Sequence, residues 1–536
     1  MGSLRDSPLT EGKGRRLNFN LALSVYRQGL DIPDWPALLV DERTVSYAEL
    51  AQLARNVAGT LRSAGLRNGA CVAILASRSV AAYAGLLGAC WIGASYMPIS
   101  PAVPEERLVN ILEIAKPAAI VADSTGTQLL TERVLKVGPD LVLVPDESNA
   151  GLRINQRKYT RSFSAFEFVG PSDEPALVRG EEIAYLMFTS GSTGVPKAVM
   201  VSAGSVHHYL LFARQRYPLN LDDRVAAHTD LSFDLAVHDM FLAWSFGACL
   251  YVVPAAQMMA PAKFIKEYAI TAWFSVPSII SIMKRVKALR PRSFPSLRYS
   301  LFCGEPLPLR AARAWQEAAP NSTLDNLYGP TEATVACLLE PVSVKSECEI
   351  VPIGYPFGDM EAAIVSPTSA ETFLSRGERG ELALAGPQLA AGYYRAPELT
   401  SKRFPLIRGK RWYLTGDLAY QDRQGRFHHL GRIDNQVKIN GFRIELEEVE
   451  AHLRAVCGTD LVAAVAWPLA QGSASGIVGF YVGKGLTSRE LRDALVRRIP
   501  TYMVPNRVLA IDSLPLNANG KVDRNSLVAQ LDSRKA

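Results

Sequence analysis

The sequence predicts an α/β protein: a large N-terminal domain of parallel α/β sheets with a small β-rich region, then a small α+β C-terminal domain. Three observations carry this. From about residue 36 to 425, short apolar runs rich in β-formers alternate with longer helical patterns. Near Gly431 the texture changes to an alternating strand, a tight turn and an amphipathic helix. The 536 residues also exceed one ordinary core, the size prior being roughly three units of about 150 residues.

Taken in order, CVAILA (71–76) reads as a buried strand feeding the helical run SVAAYAGLLGACWIG (79–93), and AAIVAD (118–123) again precedes a helical stretch. Such alternation implies parallel strands with helices packed on their faces. Pro and Gly punctuate the junctions, as in YMPISPAVPEER (96–107). ERGELALAG (378–386) reads as the start of the smaller β-rich region. In GRIDNQVKINGFRIELEEVEAHLRAV a strand meets an Asn440-Gly441 turn and then a helix. The boundary is placed at residues 431–434, dividing the chain into 1–430 and 431–536, a second piece of adequate size for a small domain.

Hydrophobic residues at 48% and charged residues at 21% give an ordinary globular composition. Lys and Arg total 58 against 52 acids, a net charge of +6 spread without a basic block. Nucleic-acid binding would require clustered charge interleaved with aromatics, so it is not expected. The mild positive balance suits anionic ligands or an acidic partner protein. The seven cysteines are dispersed without CxxC pairs, which reads as reduced thiols in a cytoplasm. No apolar run reaches the roughly 18 residues of a membrane span, and MGSLRDSPLTEGKGRR lacks the apolar stretch of a secretory signal. A cytoplasmic protein with no membrane partner is expected.

The sharpest local signal is LMFTSGSTGVPK (186–197), a buried strand running into a hydroxyl- and glycine-rich turn that carries one lysine. Such a turn offers N–H groups and hydroxyls to phosphate oxygens, with Gly permitting close approach. It does not fit the Walker pattern, and taken alone a flexible Gly/Ser loop would also explain it. It does, however, resemble the phosphate loop of the adenylate-forming superfamily, which includes acyl-CoA synthetases, luciferases and nonribosomal peptide adenylation domains. Further blocks resemble that family in order along almost the whole chain: VSYAEL (45–50), GACWIGASYMPISP (88–101), NLYGPTEATVA (326–336), GELALAGPQLAAGYY (380–394), YLTGD (413–417), GRIDNQVKINGFRIE (431–445), YMVP (502–505) and NGKVDR (519–524). Ala198 departs from the pattern, where Gly usually follows the lysine.

The resemblance implies ATP and Mg²⁺ as cofactors. It implies that Thr189, Ser190, Gly191, Ser192, Thr193, Gly194 and Lys197 cradle the β- and γ-phosphates, and that Gly304, Glu305, Pro306, Asn326, Leu327, Tyr328 and Gly329 border the nucleotide. Tyr328 would stack on adenine, Thr331 would bond the α-phosphate, and Glu332 would ligate the metal, a hard cation that prefers a carboxylate and phosphates. Asp417 would accept both ribose hydroxyls, with Arg432 assisting at the ribose or phosphate. Lys521 would bridge the substrate carboxylate and the α-phosphate, stabilising charge as it develops. Asp434 would be the hinge about which a mobile C-terminal domain turns, exchanging the face with Lys521 for the one with the Lys438–Gly441 thiolation hairpin.

HTDLSFDLAVHDMF (228–241) resembles the block in which amino-acid-activating members set an aspartate, here Asp234, against the substrate ammonium. A buried ammonium requires a buried counter-charge, whereas an acyl tail does not. The family's pocket positions fall on Asp234, Leu235, His238, Ser275, Leu301, Cys303, Leu327, Val335, Ala336 and Lys521. The lining is small or aliphatic apart from the two charges and His238, and Cys303 reads as wall rather than nucleophile. FDLAVHD, LFCGEPLP and NLYGPTEATVA together look most like D-alanine–carrier-protein ligases and free-standing alanine-type enzymes of antibiotic pathways. Alanine is therefore favoured, then serine or glycine. No carrier segment follows NGKVDR, so a carrier protein is expected to be met in trans. The competing readings are an acyl- or aryl-CoA synthetase and a catalytically silent nucleotide-binding protein.

Overall fold

The computed structural model of the chain describes residues 19–145, 159–163, 174–191, 195–258, 260–470, 473–483, 487–516 and 522–533. Ser192, Thr193, Gly194 and Lys521 lie outside the described residues.

Among the described residues two large sheets dominate. The first is built on the parallel strands Ser95–Ile99, Cys71–Leu75, Ala119–Ala122, Leu141–Pro145 and Tyr159–Phe163. Ile183–Thr189 joins in parallel, and Lys197–Ser202 then turns back antiparallel. The second sheet centres on Pro36–Val40, Cys249–Val252, Arg224–Ala227, Ala272–Ser275, Tyr299–Phe302 and Thr323–Tyr328, all parallel. Strands such as Ser95–Ile99 and Ala119–Ala122 are buried at every residue, which explains their unbroken apolar runs: both faces are covered.

Two helices that are apolar nearly all round connect the sheets, and such helices belong in an interior. Val80–Trp91 packs on the first sheet and Leu235–Ser245 on the second. Tyr83 meets Trp244 edge-on, with centroids 6.1 Å apart, so one apolar core spans both layers. The buried Trp244 indole donates to the Ala37 carbonyl at 3.1 Å.

The β-rich region begins earlier than the sequence suggested. Its antiparallel sheet orders Ser369–Phe373, Glu361–Ser366, Arg379–Ala385, Tyr413–Gln421 and Phe427–Arg432. Arg379–Ala385 is thus the central strand, not the first. The two preceding strands lie in EAAIVSPTSAETF, where Pro and polar residues blur the period-two pattern.

After Arg432 the chain forms a separate hairpin, Gln436–Ile439 with Phe442–Glu445. Asn440 (φ 50°) and Gly441 (φ 83°) both take positive φ at its tip, the backbone an Asn-Gly hairpin turn supplies. Helix Leu446–Cys457 follows, then a three-stranded sheet of Val462–Ala466, Ile477–Val482 and Arg507–Ile511 with helices Ser488–Val496 and Arg524–Ser533. These elements pack into apolar clusters of their own. Among the described residues no helix is long and apolar enough to cross a membrane.

Candidate active site

The glycine-rich turn joins strands Ile183–Thr189 and Lys197–Ser202, whose register sets Thr189 opposite Lys197. A Cβ on Gly191 would collide with the Val195 carbonyl, so the loop closes only on glycine. Among the described residues the buried Thr189 hydroxyl has no hydrogen-bond partner. The Ala198 methyl is absorbed by the apolar cluster under the first sheet.

Lys197 enters a buried charged cluster, lying 3.9 Å from both Glu332 and Glu445. Burial, with Arg443 beside it, pushes its ammonium down to about 8 despite the two carboxylates. Glu332 is fully buried on the turn Thr331–Ala333. It accepts from the Tyr393 hydroxyl at 2.7 Å and from Arg443 Nη1 at 2.8 Å. Burial alone would raise the Glu332 carboxyl, but Arg443, Lys197 and the Tyr393 bond together hold it well below the usual carboxylate range.

Arg443 and Glu445 belong to the hairpin, which is seated over this cluster. The Ser190 hydroxyl donates to the Arg443 carbonyl at 2.8 Å, and Gly191 N–H donates to Glu448 Oε2 at 3.2 Å. Glu448 is paired with Arg107, both buried. Gly441 N–H donates to Glu305 Oε1 at 2.6 Å, while Glu305 Oε2 accepts from Ser278 N–H at 2.9 Å. Phe442 stacks on Tyr502 at 3.9 Å and meets Phe233 edge-on at 5.2 Å. Lys438, half-buried on the same hairpin, bears electrostatically on Asp234, Cys303 and Asp417.

Asp417 lies in the middle of strand Tyr413–Gln421, opposite Arg432. Its carboxylate accepts from the Tyr328 hydroxyl, from Arg432 Nη1 at 2.8 Å and from His429 Nε2 at 3.4 Å. Burial opposes ionisation, but Arg432 and His429 hold the group well below the usual range. Arg432 also grips Asp434 through two bonds at 2.8 and 2.6 Å. Asn326 donates to the Pro352 carbonyl at 2.8 Å, and its own oxygen has no partner among the described residues. Leu327, Gly329 and Thr331 continue from the same strand into the turn below Glu332.

Asp234 occupies the N-cap position of helix Leu235–Ser245, yet its side chain makes no capping bond. It is 6% exposed, and among the described residues Oδ2 has no hydrogen-bond partner. Burial pushes its carboxyl up to about 6, against the Thr331 hydroxyl, the Val335 amide and Lys438, which favour ionisation. One turn along the helix, His238 shares a 2.7 Å bond through Nδ1 with the Tyr209 hydroxyl. Burial pushes its imidazolium down to about 3, so the ring is neutral. Leu235, Leu301, Cys303, Leu327, Val335 and Ala336 belong to the same buried cluster, and burial pushes the Cys303 thiol up to about 12, which makes it a poor nucleophile.

One expected wall residue is placed differently. Ser275 accepts from the Trp273 indole at 2.8 Å, on the face of the sheet that Trp273 shares with the second apolar cluster. Phe274 alternates to the near face and meets His238 edge-on at 4.8 Å. Period-two alternation along Ala272–Ser275 was the available signal. Tyr209, Tyr393, Arg443 and Glu448 were missed as well. Tyr393 and Arg443 lie inside the motif blocks, but partners more than fifty residues away leave no local pattern.

The donor set fits a nucleotide with a hard cation: a buried ionised carboxylate, a Thr189 hydroxyl unpartnered among the described residues, and a lysine 3.9 Å from that carboxylate. Glu332 would hold the metal once Arg443 withdraws. ATP with Mg²⁺ would supply an electrophilic α-phosphorus and charge neutralisation, and Lys197 would be the residue to hold its phosphates.

A two-layer parallel α/β body whose strand ends carry a phosphate-type loop and a buried acid pocket, closed by a small C-terminal module, defines an ATP-dependent carboxylate-activating class. The chain belongs to the AMP-binding enzyme family, which matches residues 26–394, with the AMP-binding enzyme C-terminal domain matching residues 448–521. Adenylating members of this family are AMP-forming ligases that use ATP with Mg²⁺. The chain is 31% identical to an L-proline–[L-prolyl-carrier protein] ligase of Pseudomonas fluorescens, covering 93% of this chain and 97% of that one. It is also 31% identical to a D-alanine–D-alanyl carrier protein ligase of Bacillus cytotoxicus, covering 83% and 86%. Other relatives are far longer: the chain is 34% identical to enterobactin synthase component F of Escherichia coli O157:H7 but spans only 39% of its length, and it spans 14% of a plipastatin synthase of Bacillus subtilis. Among solved structures, the Vibrio cholerae adenylation domain AlmE, in complex with glycyl-adenosine-5'-phosphate, superposes with a TM-score of 0.86 at 32% identity over 98% of this chain and 100% of that one.

Proposed function

We propose that the protein adenylates a small amino acid, alanine first and then serine or glycine, and transfers it to the phosphopantetheine thiol of a carrier protein. The observation that carries this is the Asp234 carboxylate: buried, at a helix N-terminus it does not cap, with one oxygen unbonded. An orphaned buried carboxylate is costly unless a cation completes it, and an amino acid's ammonium is the cation of matching size. The uncharged walls and the neutral His238 support a small, uncharged side chain. Relatives named for D-alanine and L-proline carriers and the glycyl-adenylate complex of AlmE support the same class.

On this reading Thr189, Ser190 and Lys197, with residues 192–194, hold the phosphates, Tyr328, Asp417 and Arg432 hold the nucleoside, and Lys521 orients the reacting carboxylate. The chain divides at residues 431–434, with Asp434 as hinge, and the Lys438–Gly441 hairpin serves thioester formation. The test is pyrophosphate exchange with a panel of free acids. Alanine is expected to drive exchange while acetate and benzoate do not; the reverse pattern makes the protein an acyl- or aryl-CoA synthetase. Asp234→Ala is expected to weaken alanine use by about 3–5 kcal/mol, the cost of leaving a buried charge unpaired. An unchanged alanine KM and kcat in that variant refutes the pocket.

A further inference from the structure

The turn after Glu332 is strained, and the strain lies at the pocket wall. Thr334 (φ 57°) and Val335 (φ 66°) are consecutive non-glycine residues with positive φ, both fully buried. Ala336 N–H donates to the Thr334 carbonyl at 2.8 Å, closing a three-residue turn around Val335. A γ-turn with positive central φ is the rare and strained form, and a β-branched residue there is an outlier that persists only when its surroundings over-determine it.

What over-determines it is Gln388. This side chain is fully buried. Its amide Nε2 lies 2.7 Å from the Ala336 carbonyl, 3.2 Å from that of Ala333 and 3.4 Å from that of Thr334. In return, the Thr334 hydroxyl donates to the Gln388 carbonyl at 2.6 Å. The Gln388 side-chain oxygen faces His208 Nδ1 at 3.4 Å, so the amide cannot flip without presenting an acceptor to three carbonyls. Ala390 N–H, two residues on, donates to the Glu332 carbonyl at 2.8 Å. Both sides of the turn are thus stitched to one segment, and the turn aims the Val335 amide at Asp234.

We propose that Gln388 is a positioning residue for amino-acid selection: it holds the Thr334–Val335 turn, and thereby sets the pocket wall formed by Val335 and Ala336 and the alignment of the Asp234 carboxylate. The proposal rests on the reading of Asp234, Val335 and Ala336 as the amino-acid pocket. Gln388 touches no substrate. A leucine at 388 preserves bulk and removes all three donor contacts, leaving the turn free to relax toward an unstrained backbone.

The experiment is pyrophosphate exchange with Gln388→Leu on the full chain, measuring KM for alanine, valine and ATP separately, with the melting temperature alongside. The alanine KM is expected to rise roughly tenfold, about the worth of one or two lost hydrogen bonds, and the preference for alanine over valine to narrow, while the ATP KM holds. Thr334→Val, which removes the other end of the brace without changing shape, is expected to move the same parameters, and Thr334→Ser to restore them; this pair decides the matter where Gln388→Leu does not fold. A lower melting temperature with unchanged alanine KM and selectivity overturns the proposal, as does a rise confined to the ATP KM. Asp234→Ala run in parallel separates the two failures. If it leaves alanine use intact, the pocket reading falls with the proposal; if it abolishes alanine use while Gln388→Leu and Thr334→Val change nothing, only the proposal falls.

Discussion

Asp234 shows how a single side chain carries function through what it does not do. It starts a helix without capping it and keeps a buried oxygen unbonded. Burial pushes the carboxyl from 3.8 up to about 6, so the free fold gains nothing from its ionised form. This term favours the free fold below about pH 3.8 and is lost as pH rises through about 6. Binding has the opposite sign, because only the carboxylate attracts an ammonium. The kcat/KM for the amino acid is therefore expected to fall by about tenfold per unit as pH drops below 6, in a pH titration where the ATP KM shows no matching limb. A flat profile from pH 5 to 7 contradicts the assignment. The position was legible in the sequence through the resemblance of HTDLSFDLAVHDMF to the family block, which singles out Asp234 over Asp239 in the same motif. Its unbonded state was not, since Thr331, Val335 and Lys438 reach it from roughly one hundred to two hundred positions away.

Among the elements, the Gln436–Glu445 hairpin is where local sequence and tertiary packing agree most closely. Asn440-Gly441 dictates the turn, and the turn lets the tip approach the large domain. A Cβ on Gly441 would meet Val276 Cγ1 at 2.5 Å, and its φ of 83° already disfavours a side chain. Gly441→Val is thus expected to block seating of the hairpin, lowering thioester formation at least tenfold while pyrophosphate exchange persists. Equal losses in both assays would place Gly441 elsewhere in the cycle. The parallel strands and the hairpin were readable because their apolar periods are unbroken. Glu361–Ser366 and Ser369–Phe373 were not, being short, half-exposed and interrupted by polar residues. The face of Ser275 was decided by Trp273, whose indole needs an acceptor.

The whole molecule is closed by a few buried polar bonds between its N- and C-terminal parts. The Arg107–Glu448 pair is the most buried of them, its side chains being 6% and 0% exposed. Removing one partner of such a pair costs about 3–5 kcal/mol. Glu448→Ala is expected to free the C-terminal part, seen as faster proteolytic cleavage at residues 431–434, with the melting of the large domain unchanged. Cleavage at the wild-type rate would show the pair to be dispensable for docking. In the seated state Arg443 bonds Glu332, and Glu448 takes the Gly191 amide. Two of the groups that an incoming metal-bound anion would seek, the Glu332 carboxylate and the Gly191 amide, are therefore already engaged. On the proposed function, an occupying anion and the seated hairpin would then compete for shared ground, which would order the two steps. An inert diphosphonate given with magnesium should stall thioester formation from supplied adenylate in proportion to its concentration, turning a cleared berth into the condition for the second step.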